Sequence, residues 1–131
     1  MTLSKFSRYA LYAAVDMALA GDEPVTVGQV AGPHGIPPTA LAKVFQHLVR
    51  SGIAVGTRGI GGGYRLARPR GEITVLDIVS IFEPLRDPGA DLLHGRVNGS
   101  PRDDALNRLF DEVDENIRAT LASVTLETLV R

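Results

Sequence analysis

Ile53-Ala-Val-Gly-Thr-Arg-Gly-Ile-Gly-Gly-Gly-Tyr-Arg-Leu-Ala-Arg68 decides the fold of this chain. Two short alternating runs, Ile53–Thr57 and Tyr64–Arg68, read as strands. Alternation puts Ile53 and Val55 on one face, as it does Tyr64 and Leu66. The glycine-rich segment Arg58–Gly63 between them is flexible enough to form the tip of a hairpin, and Arg58 makes that tip basic. Just upstream, Pro37 and Pro38 open a helix, because proline is tolerated in a first turn. Leu41, Val44, Phe45 and Leu48 form its inward stripe. Thr39, Lys43, Gln46 and Arg50, at i, i+4, i+7 and i+11, form a continuous polar face on the other side. Gly52 ends this helix.

Working outward, Thr26-Val-Gly-Gln29 is a capping-box sequence. It starts a short helix through Val27, Val30 and Ala31 that stops at Gly32-Pro33, ahead of a turn to Ile36. Phe6–Ala20 is apolar on several sides and ends at Gly21, as expected of a helix packed on more than one neighbour. Beyond the hairpin, Thr74 caps a helix through Leu76, Val79 and Phe82, stopped by Pro84. Residues 84–99 hold Pro, Gly, Asp and Asn without periodicity and read as a loop or a partly disordered connection. Ser100-Pro-Arg-Asp103 is a helix-start signature. The helix it opens carries Leu106, Leu109, Phe110, Val113, Ile117, Leu121 and Val124, an apolar stripe of roughly 35 Å at 1.5 Å per residue.

The expected fold is therefore mainly α with a small β-hairpin: a winged helix–turn–helix followed by a long C-terminal helix. The domain division is 1–83 for the winged unit, 84–99 for the loop and 100–131 for a dimerisation helix and tail. A chain of 131 residues with 44% hydrophobic residues can build one compact core, and a chain this short gains from oligomerisation. A helix this long overruns its own core, so Leu106, Leu109, Phe110, Val113, Ile117 and Leu121 are the candidate homodimer interface.

Charge is segregated. Between Pro24 and Gly71 there is no Asp or Glu, while Lys43, Arg50, Arg58, Arg65, Arg68 and Arg70 all fall there. Residues 1–70 carry eight Lys/Arg and three acids; residues 71–131 carry six Arg and twelve acids. The overall net charge of −1 thus hides a basic half and an acidic half. An acid-free run with arginines on short elements is the footprint of a phosphate-backbone binder. No apolar run approaches the ~20 residues of a membrane span. The N-terminal residues lack the apolar block of a signal peptide, so no membrane association and a cytoplasmic location are expected. With no cysteine, the chain has neither disulfides nor thiolate metal ligands.

A helix fits the major groove of duplex DNA, and its exposed residues near the N-terminus reach base edges. Here these are Pro38, Thr39, Ala42 and Lys43, with Gln46, His47 and Arg50 further along. Lys43 suits guanine O6/N7, Gln46 suits adenine, and Arg50 suits phosphate. In the hairpin, Gly59 and Gly61 let backbone lie against the sugar-phosphate wall, and Arg58 can extend into a narrow minor groove. Tyr64 and Arg65 complete the hairpin's candidate contacts. A nucleotide-binding glycine loop would require Lys-Ser/Thr and a helix after the glycines, and Tyr64-Arg65-Leu66 supplies neither. His34, His47 and His94 lack partners at the spacing of a catalytic triad, and no enzymatic site is expected. Asp87, Asp91, His94, Asp103 and Asp104 show no metal-ligand spacing. A winged-helix protein-interaction module without an operator of its own is the rival to a DNA-binding regulator.

Four segments carry a resemblance: Leu3–Leu11, Gly35–Leu48, Arg58–Pro69 and Glu72–Ile78. Together they resemble the Rrf-two family of bacterial transcription regulators. Its members include an iron–sulfur cluster regulator, a nitric-oxide-sensitive repressor and a cysteine-metabolism repressor. The Arg-Gly-x-Gly-Gly-Gly-Tyr-x-Leu wing is its most specific part. The resemblance implies a homodimer on a pseudo-palindromic operator, with the long C-terminal helices paired, and a repressor is the expected role. It also implies backbone contacts from Ser4, Lys5 and Tyr9 at the start of the first helix. Cluster-binding members use three cysteines, some with a histidine on the last helix; in that register this chain has Asp104 for the last cysteine and Asn107 for the histidine. Iron–sulfur ligation depends on soft thiolates, so no cluster and no other cofactor is expected. A small-molecule effector or a regulatory protein is the further partner that cluster-free relatives imply.

Overall fold

The computed structural model describes residues 3–84 and 101–131. Helix α1 (Lys5–Ala20) begins at Ser4, whose hydroxyl accepts from the Ser7 N–H, and it buries Ala10, Ala13, Ala14 and Met17. Helix α2 (Val27–His34) opens on the expected capping box: Thr26 Oγ1 accepts from Gln29 N–H at 3.1 Å and Gln29 Oε1 accepts from Thr26 N–H at 2.9 Å. Helix α3 (Pro38–Arg50) buries Leu41, Val44, Phe45 and Leu48. Each large side chain of that stripe contributes roughly 1.5–3 kcal/mol by leaving water. Strands β1 (Ala54–Thr57) and β2 (Gly63–Leu66) form an antiparallel pair. A short 3₁₀ turn at Arg70–Glu72 leads to α4 (Val75–Phe82), which a second capping box, Thr74 with Asp77, opens. Then come α5 (Pro101–Ala122) and α6 (Leu126–Val130). The architecture is a winged helix–turn–helix with a long helix after it, as the sequence leads one to expect.

The structure departs from the sequence reading in four places. Helix α2 does not stop at Gly32-Pro33 but includes Pro33 and ends at His34. Proline there forfeits a single helical hydrogen bond. Gly35, with φ 66°, closes the end, helped by Gly35 N–H to Gly32 O at 3.3 Å and Ile36 N–H to Ala31 O at 3.0 Å. In the hairpin, Ala54 pairs with Leu66 and Gly56 with Tyr64, so Ala54 and Gly56 share the face of those two residues, while Val55 stands opposite Arg65 on the other side. Ile53 is buried because it precedes the strand, held by its N–H to Leu48 O at 3.0 Å.

Third, Val124 is not on the stripe of the long helix, which ends at Ala122. Fourth, the C-terminal residues are not a plain tail. Leu126 is fully buried in the same core as Phe45 and Met17, and Val75 N–H donates to Val124 O at 2.8 Å. Residues 85–99 of the expected loop, with Asp87, Asp91 and His94, lie outside the described residues, as does the Ser100 cap.

Candidate nucleic-acid interface

The wing is positioned by four local devices. Thr57 Oγ1 accepts from Gly63 N–H at 3.1 Å and donates to Gly63 O at 3.3 Å, closing the loop at its base. Tyr64 exchanges backbone hydrogen bonds with Val25 at 2.7 and 2.8 Å, so a third chain segment braces β2. A Cβ on Gly63 would stand 2.5 Å from the Val25 carbonyl oxygen, and one on Gly62 would stand 2.6 Å from Thr57 O. These two glycines are therefore required by the hairpin's own packing. By contrast, nothing lies within 4 Å of a Cβ at Gly59 or Gly61, which face open space. Ile60 between them is fully exposed at the tip, an apolar side chain to which its sequence pattern assigns no role.

Helix α3 presents its outer face beside this wing. Pro38, Thr39, Lys43, Gln46, His47 and Arg50 are exposed and Ala42 is half-buried. The helix has no side-chain cap and no acid in its first turn, which leaves its positive end uncovered. Gln46, Arg50, Arg58 and Tyr64 line one open cleft of about 460 Å³ between helix and wing, with Val49, Gly56, Thr57 and Gly63. Within that cleft the Tyr64 ring is committed to stacking on Phe45 and its backbone to pairing with Val25, so its contribution to the surface is the ring edge. His47 turns toward α4, where its ring meets the edge of Phe82 at 5.7 Å. Arg65 is exposed on β2 beside the partner position Val55.

Two of the six cations in the acid-free stretch are engaged internally. Arg68 donates to Glu72 O at 3.3 Å and lies 3.9 Å from the Asp77 carboxylate. Arg70 is paired with Glu127 and donates to Ala18 O at 3.3 Å. Lys43, Arg50, Arg58 and Arg65 have no ion pair among the described residues. The acids that answer Arg68 and Arg70 come from later in the chain, which a count along the sequence does not reveal.

At the start of α1, Ser4 is an N-cap, and its N–H and the Ser7 hydroxyl both donate to Glu83 Oε1 at 2.7 Å. These hydrogen bonds, from the Ser4 backbone first, hold the Glu83 carboxyl below its ordinary value of 4.5. That carboxylate takes up both donors. Lys5 remains exposed, its ammonium 5.4 Å from the Phe6 ring, and Tyr9 is half-buried edge-on to Phe6. Of the helix-start candidates, Lys5 alone carries a charge outward.

On α5, Leu106, Leu109, Phe110 and Val113 are about half exposed, and Ile117 and Leu121 are partly covered. Four large apolar side chains on one helix are thus only half covered by the rest of the described chain.

This geometry matches a known family. The family model described as Rrf2, iron-dependent transcriptional regulator, matches residues 3–131. The chain belongs to the Rrf2 (Rrf-two) family. Among its relatives is a protein of Rhodopseudomonas palustris named as the HTH-type transcriptional regulator BadM, 35% identical across the whole chain and 82% of that protein. The HTH-type transcriptional regulator IscR of Cereibacter sphaeroides is 33% identical, with the whole chain and 88% of that protein aligned. Among solved structures, T. potens IscR superposes with a TM-score of 0.80 at 25% identity, over 99% of this chain and 86% of that one. CymR, the global cysteine regulator of B. subtilis, superposes with a TM-score of 0.83 at 24% identity, over 99% and 96%, and so shares the fold. The relatives are regulators of transcription, not enzymes.

The family description speaks of iron. This Rrf2 chain has no cysteine, and among the described residues no three His, Asp or Glu side chains gather into a metal-binding group. Asp104 is exposed and Asn107 buried on α5. A carboxylate and an amide do not replace soft thiolates. The residues present do not fit an iron–sulfur cluster.

Proposed function

We propose that the chain is a homodimeric, sequence-specific DNA-binding repressor that works without an iron–sulfur cluster. The observation that carries this reading is the cleft between α3 and the wing, where Gln46, Arg50 and Arg58 converge and no carboxylate intrudes. Helix α3 enters a major groove, with Thr39, Lys43 and Gln46 toward base edges and Arg50 toward phosphate. The wing tip, with Arg58, Gly59 and Gly61, follows the adjacent minor groove. The half-exposed stripe Leu106, Leu109, Phe110, Val113 supports pairing of two α5 helices, which presents two reading heads to a pseudo-palindromic site. A dimer seated on a promoter blocks polymerase there, which makes repression the simplest output. Acting on chromosomal DNA, it works in the cytoplasm, and a small-molecule effector or a regulatory protein supplies its signal.

The test is to sequence the genomic fragments that the purified protein retains, then measure affinity for the recovered duplex and for a scrambled duplex at two salt concentrations. The reading expects a strong preference for the recovered duplex and a steep loss of affinity with salt. Equal affinity for both duplexes would leave the protein-interaction module as the better account.

A further inference from the structure

Arg70 sits where three elements meet. It begins the 3₁₀ turn that follows the descending strand of the wing. Its Nε and Nη2 donate to the two carboxylate oxygens of Glu127 in α6, and its Nη1 donates to Ala18 O near the C-terminal end of α1. A guanidinium suits this place, because its planar fork matches a carboxylate with two donors and leaves a third for a carbonyl at the negative end of a helix. The pair joins residues 57 positions apart in the chain.

The segment that Arg70 grips is what returns the far end of α5 to the winged unit. Val75 N–H donates to Val124 O at 2.8 Å, Leu126 N–H donates to Ile73 O at 2.9 Å, and Thr74 and Thr125 form an isolated β-bridge. Leu126 is fully buried. These backbone contacts dock the segment. The Arg70 fork adds what they lack, a side-chain tie from α6 across to both the base of the wing and α1. Both partners are more than a third exposed, so the pair adds little to stability, and what it chiefly fixes is geometry.

We propose that the Arg70–Glu127 clasp sets the angle between the wing and α5, and that through the paired α5 helices it sets the spacing at which two reading heads meet DNA. Arg70 is then a positioning residue rather than a DNA contact, although it lies in the basic stretch. This rests on the dimeric reading above. Two heads engage one duplex together only when their separation matches the half-sites, about 34–36 Å or a multiple. A loosened clasp leaves each head able to bind and makes simultaneous engagement rarer.

The experiment uses the full chain and the duplex recovered from genomic selection. Affinity is measured by fluorescence anisotropy for the native duplex, for one with a base pair inserted between half-sites, and for a single half-site. Arg70→Ala and Glu127→Gln should each weaken the native duplex about tenfold, through lost avidity, and leave the single half-site unchanged. They should also narrow the preference for native over altered spacing. The exchange Arg70→Glu with Glu127→Arg should restore part of that preference, since it regains the carboxylate pair but not the donation to Ala18 O, with circular dichroism reporting an intact fold throughout. An equal loss on the single half-site would overturn the proposal, as would no loss on any duplex while wild type discriminates. Wild-type protein that binds one half-site as tightly as two takes down the dimeric reading itself, and the clasp with it.

Discussion

The Tyr64 ring lies on the Phe45 ring with centroids 4.3 Å apart and planes 12° from parallel. This contact joins the middle of the wing to the buried side of the helix beside it. Gly56, opposite Tyr64 in the hairpin, packs beside it: a Cβ there would stand in ordinary contact with the ring, 3.5 Å away. The wing is therefore carried by the core, not hung from its two ends. Tyr64→Ala should cost about 2–3 kcal/mol in urea denaturation, from lost burial and stacking, and should weaken DNA binding as well. Tyr64→Phe should change stability by less than about 0.5 kcal/mol, since the ring makes the contact. If Ala and Phe variants unfold at the same urea concentration, the ring is not the support described.

Two arginines of the acid-free stretch should behave oppositely. Arg58 is exposed at the wing tip with no ion pair among the described residues, whereas Arg68 is tied to Glu72 and Asp77. Arg58→Ala should weaken operator binding by about 1–3 kcal/mol and flatten its salt dependence. Arg68→Ala should leave both near wild type. Gel-shift titrations at several salt concentrations decide it, and a larger effect at Arg68 would reverse the assignment.

Glu83 gives stability a pH dependence of definite sign. Hydrogen bonds from Ser4 and Ser7 hold its folded-state pKa below the ordinary 4.5. A depressed acid contributes stability that is present above the unfolded value and is lost as pH falls through the folded value. Wild type should therefore be more stable than Glu83→Gln at pH 7, and the gap should narrow as pH falls below 4.5 and through the lowered folded-state value. Denaturation curves at neutral and acid pH check this; a gap of constant size would show that the carboxylate's charge is not what matters.

The same substitution at two glycines should have opposite signs. Gly63→Ala would push a methyl to 2.5 Å from Val25 O and break the backbone pairing that braces the wing. A cost of about 1–3 kcal/mol is expected. Gly28 lies inside α2, where an added Cβ would meet only Thr26 Oγ1 at 4.0 Å, so Gly28→Ala should stabilise by about 0.5–1 kcal/mol through helix propensity. Thermal melts compare the two directly.

Phe110 is half exposed on α5, so Phe110→Asp damages little within one chain. Under the dimeric reading it should give monomers in sedimentation velocity and lose affinity for a two-half-site duplex. A variant that sediments as wild type does would place the contact between copies elsewhere.

Local chemistry in the sequence was enough for much of this protein. The stripe Leu41, Val44, Phe45, Leu48 is an i, i+3, i+4, i+7 pattern, and it is buried as that pattern requires. Thr26 with Gln29 and the Thr74 cap announce helix starts because a cap needs only residues three positions apart. The glycine-rich tip between alternating runs identifies the hairpin for the same local reason. What the tertiary structure alone decided is pairing over distance. Which face of β1 turns inward depended on register with β2, which seats Ala54 and Gly56 opposite Leu66 and Tyr64 and sends Val55 outward. Which cations stay unpaired among the described residues depended on acids later in the chain, Asp77 beside Arg68 and the distant Glu127 beside Arg70. The last five-residue helix is too short to signal itself, and it exists because Leu126 finds the core. Short-range geometry is written in neighbouring residues; charge neutralisation and docking are set by contacts that exist only once the chain has closed on itself.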